Sequence, residues 1–290
     1  MKRLLVVLAS SLLATSCSAN RVPSHATDDR PTIAVTYSVL GSLVSELVGE
    51  QARVTVVIPD GQDPHDFEPS AKDIEAINEA DLIVSNGLNF EEGLTSVLDS
   101  ADNRGVPHFV VTDHVTTRVG DGSTTTDPHV WLSPHAMVEM IDDLSTTINT
   151  KFGLDLTQRT ASLVDELTAL DATTSARIQD LGACTLVTGH DELGYFADRY
   201  GCRVIGAVIP SFSTTAEATA GELATLRSLV AQHGVRAIFT GLGTSSDIVA
   251  RLADELGVPA IELSTHYLNG ATTYDAFMTR LVDRIVEGLS

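Results

Sequence analysis

Eight short apolar runs alternate with helical stretches along this chain, and one long strand-free interval divides the runs into two sets of four. The first set lies at residues 32–35, 54–58, 82–84 and 109–111, and the second at 185–187, 204–205, 237–239 and 260–263. Short continuous runs of Val, Ile and Leu suit strands buried on both faces, as in a parallel sheet. Amphipathic segments at 70–79, 92–100, 216–232 and 246–256 read as the connecting helices. Strand and helix in alternation predict an α/β fold with right-handed crossovers.

The interval at 133–181 carries no strand pattern. Ser133-Pro134 is a helix start, with a capping side chain followed by proline in the first turn, and that helix ends near Phe152-Gly153. A second helix is expected from about 156 to 181, with Leu163, Leu167, Leu170 and Ile178 at helical spacing. At about 1.5 Å per residue it is roughly 35–40 Å long. A two-helix cap on one domain is one reading. A rigid helix joining two lobes fits better, because each side has its own set of about four strands. The expected division is a first lobe at 31–154, a linking helix at 155–181 and a second lobe at 182–290.

The N-terminus has the form of an export signal. Met1-Lys2-Arg3 is basic, Leu4 to Leu13 is apolar but too short to span a membrane, and Ala14-Thr15-Ser16 leads into Cys17. A cysteine directly after small residues matches a lipoprotein processing point. Residues 1–16 are expected to be removed, Cys17 acylated, and polar residues 17–30 left as a tether on the outer side of the membrane. Cys184 and Cys202 remain, bracketing one helix, each near the start of a flanking strand. In an exported chain they are either one disulfide or two reduced buried thiols. The formal net charge of −21 argues against nucleic acid as a partner. It suits a soluble monomer with charge dispersed over helix faces.

Asp-Pro-His occurs twice, at Asp63-Pro64-His65 and Asp127-Pro128-His129, and His190 closes the run Thr185 to Gly189. His266 follows the last strand by three residues. Any single one of the nine histidines is adequately explained as a surface residue. These four all fall at strand ends or helix starts, on the edge of an open α/β sheet where ligands bind. Two belong to each lobe, and neutral imidazole is a common ligand for zinc-like cations. Proline stiffens each loop, and the aspartate or a nearby carbonyl is expected to accept the second imidazole N–H. The prediction is a metal site in the cleft between the lobes. His108, His114 and His135 are expected to lie outside it.

Several of these segments resemble one known family. They are Gly61-Gln62-Asp63-Pro64-His65-Asp66-Phe67-Glu68-Pro69-Ser70, the stretch 80–88, Asp127-Pro128-His129-Val130-Trp131-Leu132-Ser133-Pro134, Gly189-His190-Asp191 with Tyr195-Phe196, and 214–223. The chain resembles the metal-binding solute-receptor lipoproteins of zinc and manganese ABC importers over nearly the whole mature length. The resemblance implies two α/β lobes bridged by one long helix, with metal ligands at His65, His129 and His190. It implies delivery of the metal to a membrane permease and no chemistry on the cargo. A histidine at the third position favours Zn²⁺ over Mn²⁺, in keeping with imidazole-rich coordination.

The chain also departs from the family pattern. The usual fourth ligand is an aspartate whose position is occupied by Ser264, a poor zinc ligand. His266 is ranked first as its replacement, with Glu262 or a water as alternatives. Gly241-Leu242 stands where the family has Glu-Pro, and no His-rich insertion separates His114 from His129. Two rival readings have other outcomes. A zinc hydrolase needs a general base, for which Glu192 or Glu262 is a candidate. A metal-dependent surface adhesin would use the same fold to hold a host protein.

Overall fold

The computed structural model describes residues 28–120 and 124–290. The expected signal segment and acylated Cys17 lie outside them. The first half builds one parallel sheet from β1 (Thr32–Tyr37), β2 (Arg53–Ile58), β3 (Leu82–Ser85) and β4 (His108–Val110), in the order β2-β1-β3-β4. Val35 pairs with Val56 on one side and Val84 on the other, so β1 is the buried centre of the sheet. The crossovers run through α1 (Ser38–Val48), α2 (Ala71–Asn78) and α3 (Thr95–Asn103).

Helix α1 is buried on nearly every face: its polar side, Ser38, Ser42, Ser45 and Glu46 at helical spacing, is weak, and Ser38 and Ser42 are themselves buried. It packs tightly on β2: a Cβ at Gly41 would sit 2.5 Å from Val56 Cγ2. Helix α2 opens with a reciprocal cap, Ser70 Oγ accepting from Asp73 N while Ser70 N donates to an Asp73 carboxylate oxygen at 2.8 Å. That cap ends the loop carrying His65.

Helix α4 (Pro134–Phe152) starts where Ser133 predicts it and stops at Gly153 in the left-handed conformation. Helix α5 (Thr157–Asp180) follows and packs along it. Its buried stripe is Thr160, Leu163, Leu167, Leu170, Asp171, Thr174 and Ile178. Near its start, Arg159 donates to the carbonyls of Leu47 and Glu46 at the end of α1. Further along, Asp171 pairs with Arg199 of α6 (Gly194–Tyr200) and accepts from Tyr200 Oη at 3.0 Å. Helix α5 therefore touches both halves.

In the second half, β5 (Thr185–His190) pairs with β6 (Arg203–Ile209), and β7 (Ile238–Thr240) pairs with β8 (Ala260–Glu262), all parallel. The two pairs lie side by side, β5 beside β7, without a continuous hydrogen-bonded ladder. This differs from a single four-stranded sheet, and a register shift between Leu186 and Val187 marks where β5 is irregular. Helices α7 (Ala220–His233), α8 (Ser246–Leu256) and α9 (Tyr274–Leu289) complete the half. Helix α7 begins later than its amphipathic pattern because Thr219 and Glu222 form a capping box. The Cys184–Cys202 pair is a disulfide joining the starts of β5 and β6.

The two halves do not have wholly separate interiors. The main apolar cluster runs from β1 and α1 through α4 and α5 to Phe196, Phe239, Phe277 and Leu289. A smaller cluster around Val187, Val208, Leu226, Ile238 and Leu252 belongs to the second half alone. Helix α9 produces the continuity by returning to the first half, where Tyr274 N donates to Glu46 and Tyr274 Oη to Trp131 O.

Candidate metal centre

His65, His129, His190 and His266 converge between the halves. Each offers a nitrogen, and these nitrogens lie within 4.8 Å of one another. All four residues are at most 3% exposed. His190 is the last residue of β5, and a Cβ on the preceding Gly189 would meet Thr244 Oγ1 at 2.4 Å. The glycine thus lets the loop after β7 close against the strand end. His65 lies in the loop leaving β2, His129 just before a 3-10 turn (Val130–Leu132), and His266 in the loop after β8.

The twin Asp-Pro-His segments share one local device. Asp63 Oδ1 accepts from His65 N at 3.1 Å, and Asp127 Oδ1 accepts from His129 N at 3.0 Å. Beyond that they diverge. Asp127 Oδ1 also lies 2.8 Å from His129 Nδ1, which leaves Nε2 facing the centre. Asp63 Oδ2 accepts from Thr214 Oγ1 of the second half at 2.7 Å, and its other oxygen faces His266 Nδ1 at 3.8 Å. His65 Nδ1 faces Glu92 at 3.4 Å without a hydrogen bond.

Aromatic rings form one wall. Phe90 meets His65 edge-on at 4.9 Å between centroids, and Trp131 lies 5.3 Å from His129. Trp131 Nε1 donates to Thr265 O at 2.7 Å, holding the residue before His266 from the opposite half. Outward from the cluster a cavity of about 560 Å³ opens, lined by His65, Leu88, Glu92, Pro128, Asp191 and Phe212 among others.

Burial controls the protonation of the cluster. It pushes His65 down to about 3, with His129 adding to the effect. It also holds His190 and His266 well below the ordinary histidine range, helped by the neighbouring imidazoles. These rings are neutral at physiological pH, the form that ligates a cation. Burial raises Glu192 to about 7. Its Oε2 lies 3.7 Å from His190 Nδ1 and 3.6 Å from His266 Nε2.

The arrangement suits a tetrahedral cation. Four nitrogens at about 2.0–2.1 Å from zinc stand roughly 3.3 Å apart. His129 Nε2 and His190 Nε2 are 3.2 Å apart. Both ring nitrogens of His65 and of His266, and Glu192 Oε2, are buried without a hydrogen-bond partner. Orphaned polar atoms of this kind cost about 1–3 kcal/mol each, and a bound ion removes that cost for a ligating nitrogen.

The remaining sequence candidates lie elsewhere. Glu262, the alternative fourth ligand, is exposed at the end of β8 and lies outside the cluster. Ser264 is half-buried and accepts from Asn269. His108 bonds Ser85 and Asp102, His114 pairs with Asp143, and His135 faces Glu139 on α4. Sequence reasoning weighed Glu192 as a hydrolase base and not as a neighbour of His190 and His266. It missed Glu92, Thr214 and Ser213 altogether, since no local pattern pairs residues across the two halves.

Comparison with known proteins agrees with this geometry. Residues 33–288 match the family described as zinc-uptake complex component A, periplasmic. A manganese-binding lipoprotein, MntA of Halalkalibacterium halodurans, is 25% identical over 98% of this chain and 97% of its own length. The zinc-binding protein AdcA of Streptococcus pyogenes is 28% identical over 80% of this chain, which spans 50% of that relative. The periplasmic zinc-binding protein TroA of Treponema pallidum superposes with a TM-score of 0.79 at 27% identity, over 90% of this chain and 99% of that one. With the match running through both halves and all four histidines, this chain belongs to the periplasmic component A family of zinc-uptake complexes.

Proposed function

We propose that this protein captures Zn²⁺ outside the cytoplasm and delivers it to the permease of an ABC importer. The observation that carries the reading is the convergence of His65, His129, His190 and His266, buried and drawn from both halves. His266 then supplies the fourth ligand, in place of the aspartate whose position Ser264 occupies. Four imidazole nitrogens favour zinc over manganese, whose sites are richer in oxygen donors. The manganese-binding relative keeps Mn²⁺ as a second reading. A four-histidine shell fills a tetrahedral ion and leaves no open position for a catalytic water, which supports transport over hydrolysis.

Acylated Cys17 would hold the monomeric receptor at the membrane. Among the described residues, no helix is long and apolar enough to cross one. Helix α5 spans both halves, so release is expected through loop movement, with the linking helix acting as a rigid link between the lobes 31–154 and 182–290. Chelator-stripped protein titrated with zinc and manganese tests the reading. One zinc per chain, bound more tightly than manganese, is expected. Full zinc affinity in a His65→Ala/His190→Ala variant would sink it.

A further inference from the structure

We propose that Glu192 is a positioning carboxylate for the centre, fixing His190 from its outer nitrogen as Asp127 fixes His129. The inference rests on the metal-centre reading above. His190 turns Nε2 toward His129 Nε2 at 3.2 Å, so Nδ1 is the nitrogen pointing away from the ion. An imidazole that ligates through Nε2 carries its proton on Nδ1 and needs an acceptor there. The carboxylate oxygen facing that nitrogen is Glu192 Oε2, at 3.7 Å. Closing the gap to hydrogen-bond range takes a shift of less than about 1 Å.

The chain delivers this oxygen through a tight turn. Glu192 N donates to His190 O at 3.0 Å, directly after β5, and Asp191 N donates to Ser211 O. Glu192 is 1% exposed and Oε2 has no hydrogen-bond partner. Thr265 holds Glu192 through a side-chain hydrogen bond, and its ion-pair neighbours among the described residues are the imidazoles of His190 and His266. A buried carboxylate that keeps one acceptor oxygen free, with no Lys or Arg paired to it among the described residues, is costly in a purely structural role. With zinc bound, it would also balance the charge of an ion held by four neutral rings.

The test uses the full mature protein, the isosteric variant Glu192→Gln and the ligand variant His190→Ala. Zinc dissociation constants come from chelator competition, the metal shell from X-ray absorption at the zinc edge, and melting temperatures with and without zinc. Glu192→Gln is expected to bind one zinc in the same four-nitrogen shell, with affinity reduced about 10–100-fold. Its metal-free form should melt no lower than wild type, while the rise caused by zinc shrinks. Unchanged zinc affinity in Glu192→Gln would overturn the inference. So would a carboxylate oxygen in the wild-type shell that the variant lacks, since Glu192 would then be a ligand. An equal fall in melting temperature with and without zinc assigns a structural role instead and also overturns it. Wild-type affinity in His190→Ala is a separate failure, that of the metal-centre reading itself.

Discussion

The two Asp-Pro-His segments begin with the same three residues and the same aspartate-to-backbone hydrogen bond, yet they are held in different ways. Around the second, Asp127 is fully buried, caps His129 N, faces His129 Nδ1 and pairs with Arg118. Asn86 donates to Pro128 O and Tyr195 Oη to Asp127 O, so the loop is clamped from both halves. Around the first, Asp63 bonds Thr214, while Glu92 beside His65 bonds Ser213. Both of those partners lie on the half-exposed loop of the second half that borders the cavity. One loop is a fixed wall of the site. The other is held across the halves by two hydroxyl groups, and it is there that the site is expected to open.

The largest effects should come from the ligands, where this difference disappears. His129→Ala and His65→Ala should each reduce zinc affinity by more than the roughly 10–100-fold typical of an outer-shell partner. Calorimetric titration in the presence of a competing chelator checks this. If His65→Ala falls well short of His129→Ala, the first loop contributes a weaker ligand as well as a looser one.

Asp127→Ala against Asp63→Ala tests the clamp directly. Breaking a buried ion pair costs about 3–5 kcal/mol, and Arg118 keeps Asp198, so Asp127→Ala is expected near the lower end of that range. Asp63→Ala loses a loop cap and one hydroxyl bond, for about 1–2 kcal/mol. Urea unfolding of the metal-free variants gives the ranking, and equal costs would erase the distinction between the loops.

Acid sharpens the comparison in another way. His65 is held at about 3, against about 6.5 for an unperturbed histidine, so below pH 6.5 the unfolded chain binds a proton that the folded chain refuses. The stability tied to His65 is complete above pH 6.5 and is lost progressively as pH falls toward 3, by about 1.4 kcal/mol per pH unit. His190 and His266 act in the same direction, while Glu192, raised to about 7, opposes them by favouring the folded state as pH falls from 7 toward 4.5. Melting of metal-free protein between pH 7 and 4 should show a net loss of stability toward acid, in which the three histidines, with Asp155, Asp171 and Glu222 held low, outweigh Glu192, Glu46, Asp63 and Glu91, which burial raises.

The smallest effect belongs to the clip. Thr214→Val should cost about 0.5–1.5 kcal/mol or less and leave zinc stoichiometry intact. It is expected to speed zinc release several-fold in stopped-flow chelation, with little change in the release rate of a matched Thr188→Val variant, whose hydroxyl has no partner. Identical release rates would mean the first loop is not where the site opens.

Much of this architecture was legible residue by residue. The eight strands followed from short runs of β-branched and apolar residues, and α4 was bounded by Ser133-Pro134 and Gly153. Both are local effects, set within a turn or two of chain. Helix α1 escaped because its polar side is mostly serine, small and largely buried, and so contrasts little with the apolar side. Three of the clustered histidines stood out, His65 and His129 through the repeated Asp-Pro-His and His190 as the residue that closes a strand. His266 sits in an irregular loop, and its place rests on Trp131 holding Thr265 from the other half.

From the linear chain came the alternation that makes an α/β fold, the turns that put histidines at strand ends, and the candidates for a metal site. Those depend on backbone preference and on hydrogen bonds between near neighbours. Packing decided the rest: that Asp127 faces its own histidine ring while Asp63 reaches across to Thr214, that Glu262 is left outside, and that Glu192 lies between two imidazoles. Desolvation and ligand convergence arise only when distant segments close around one point, and no local pattern carries them.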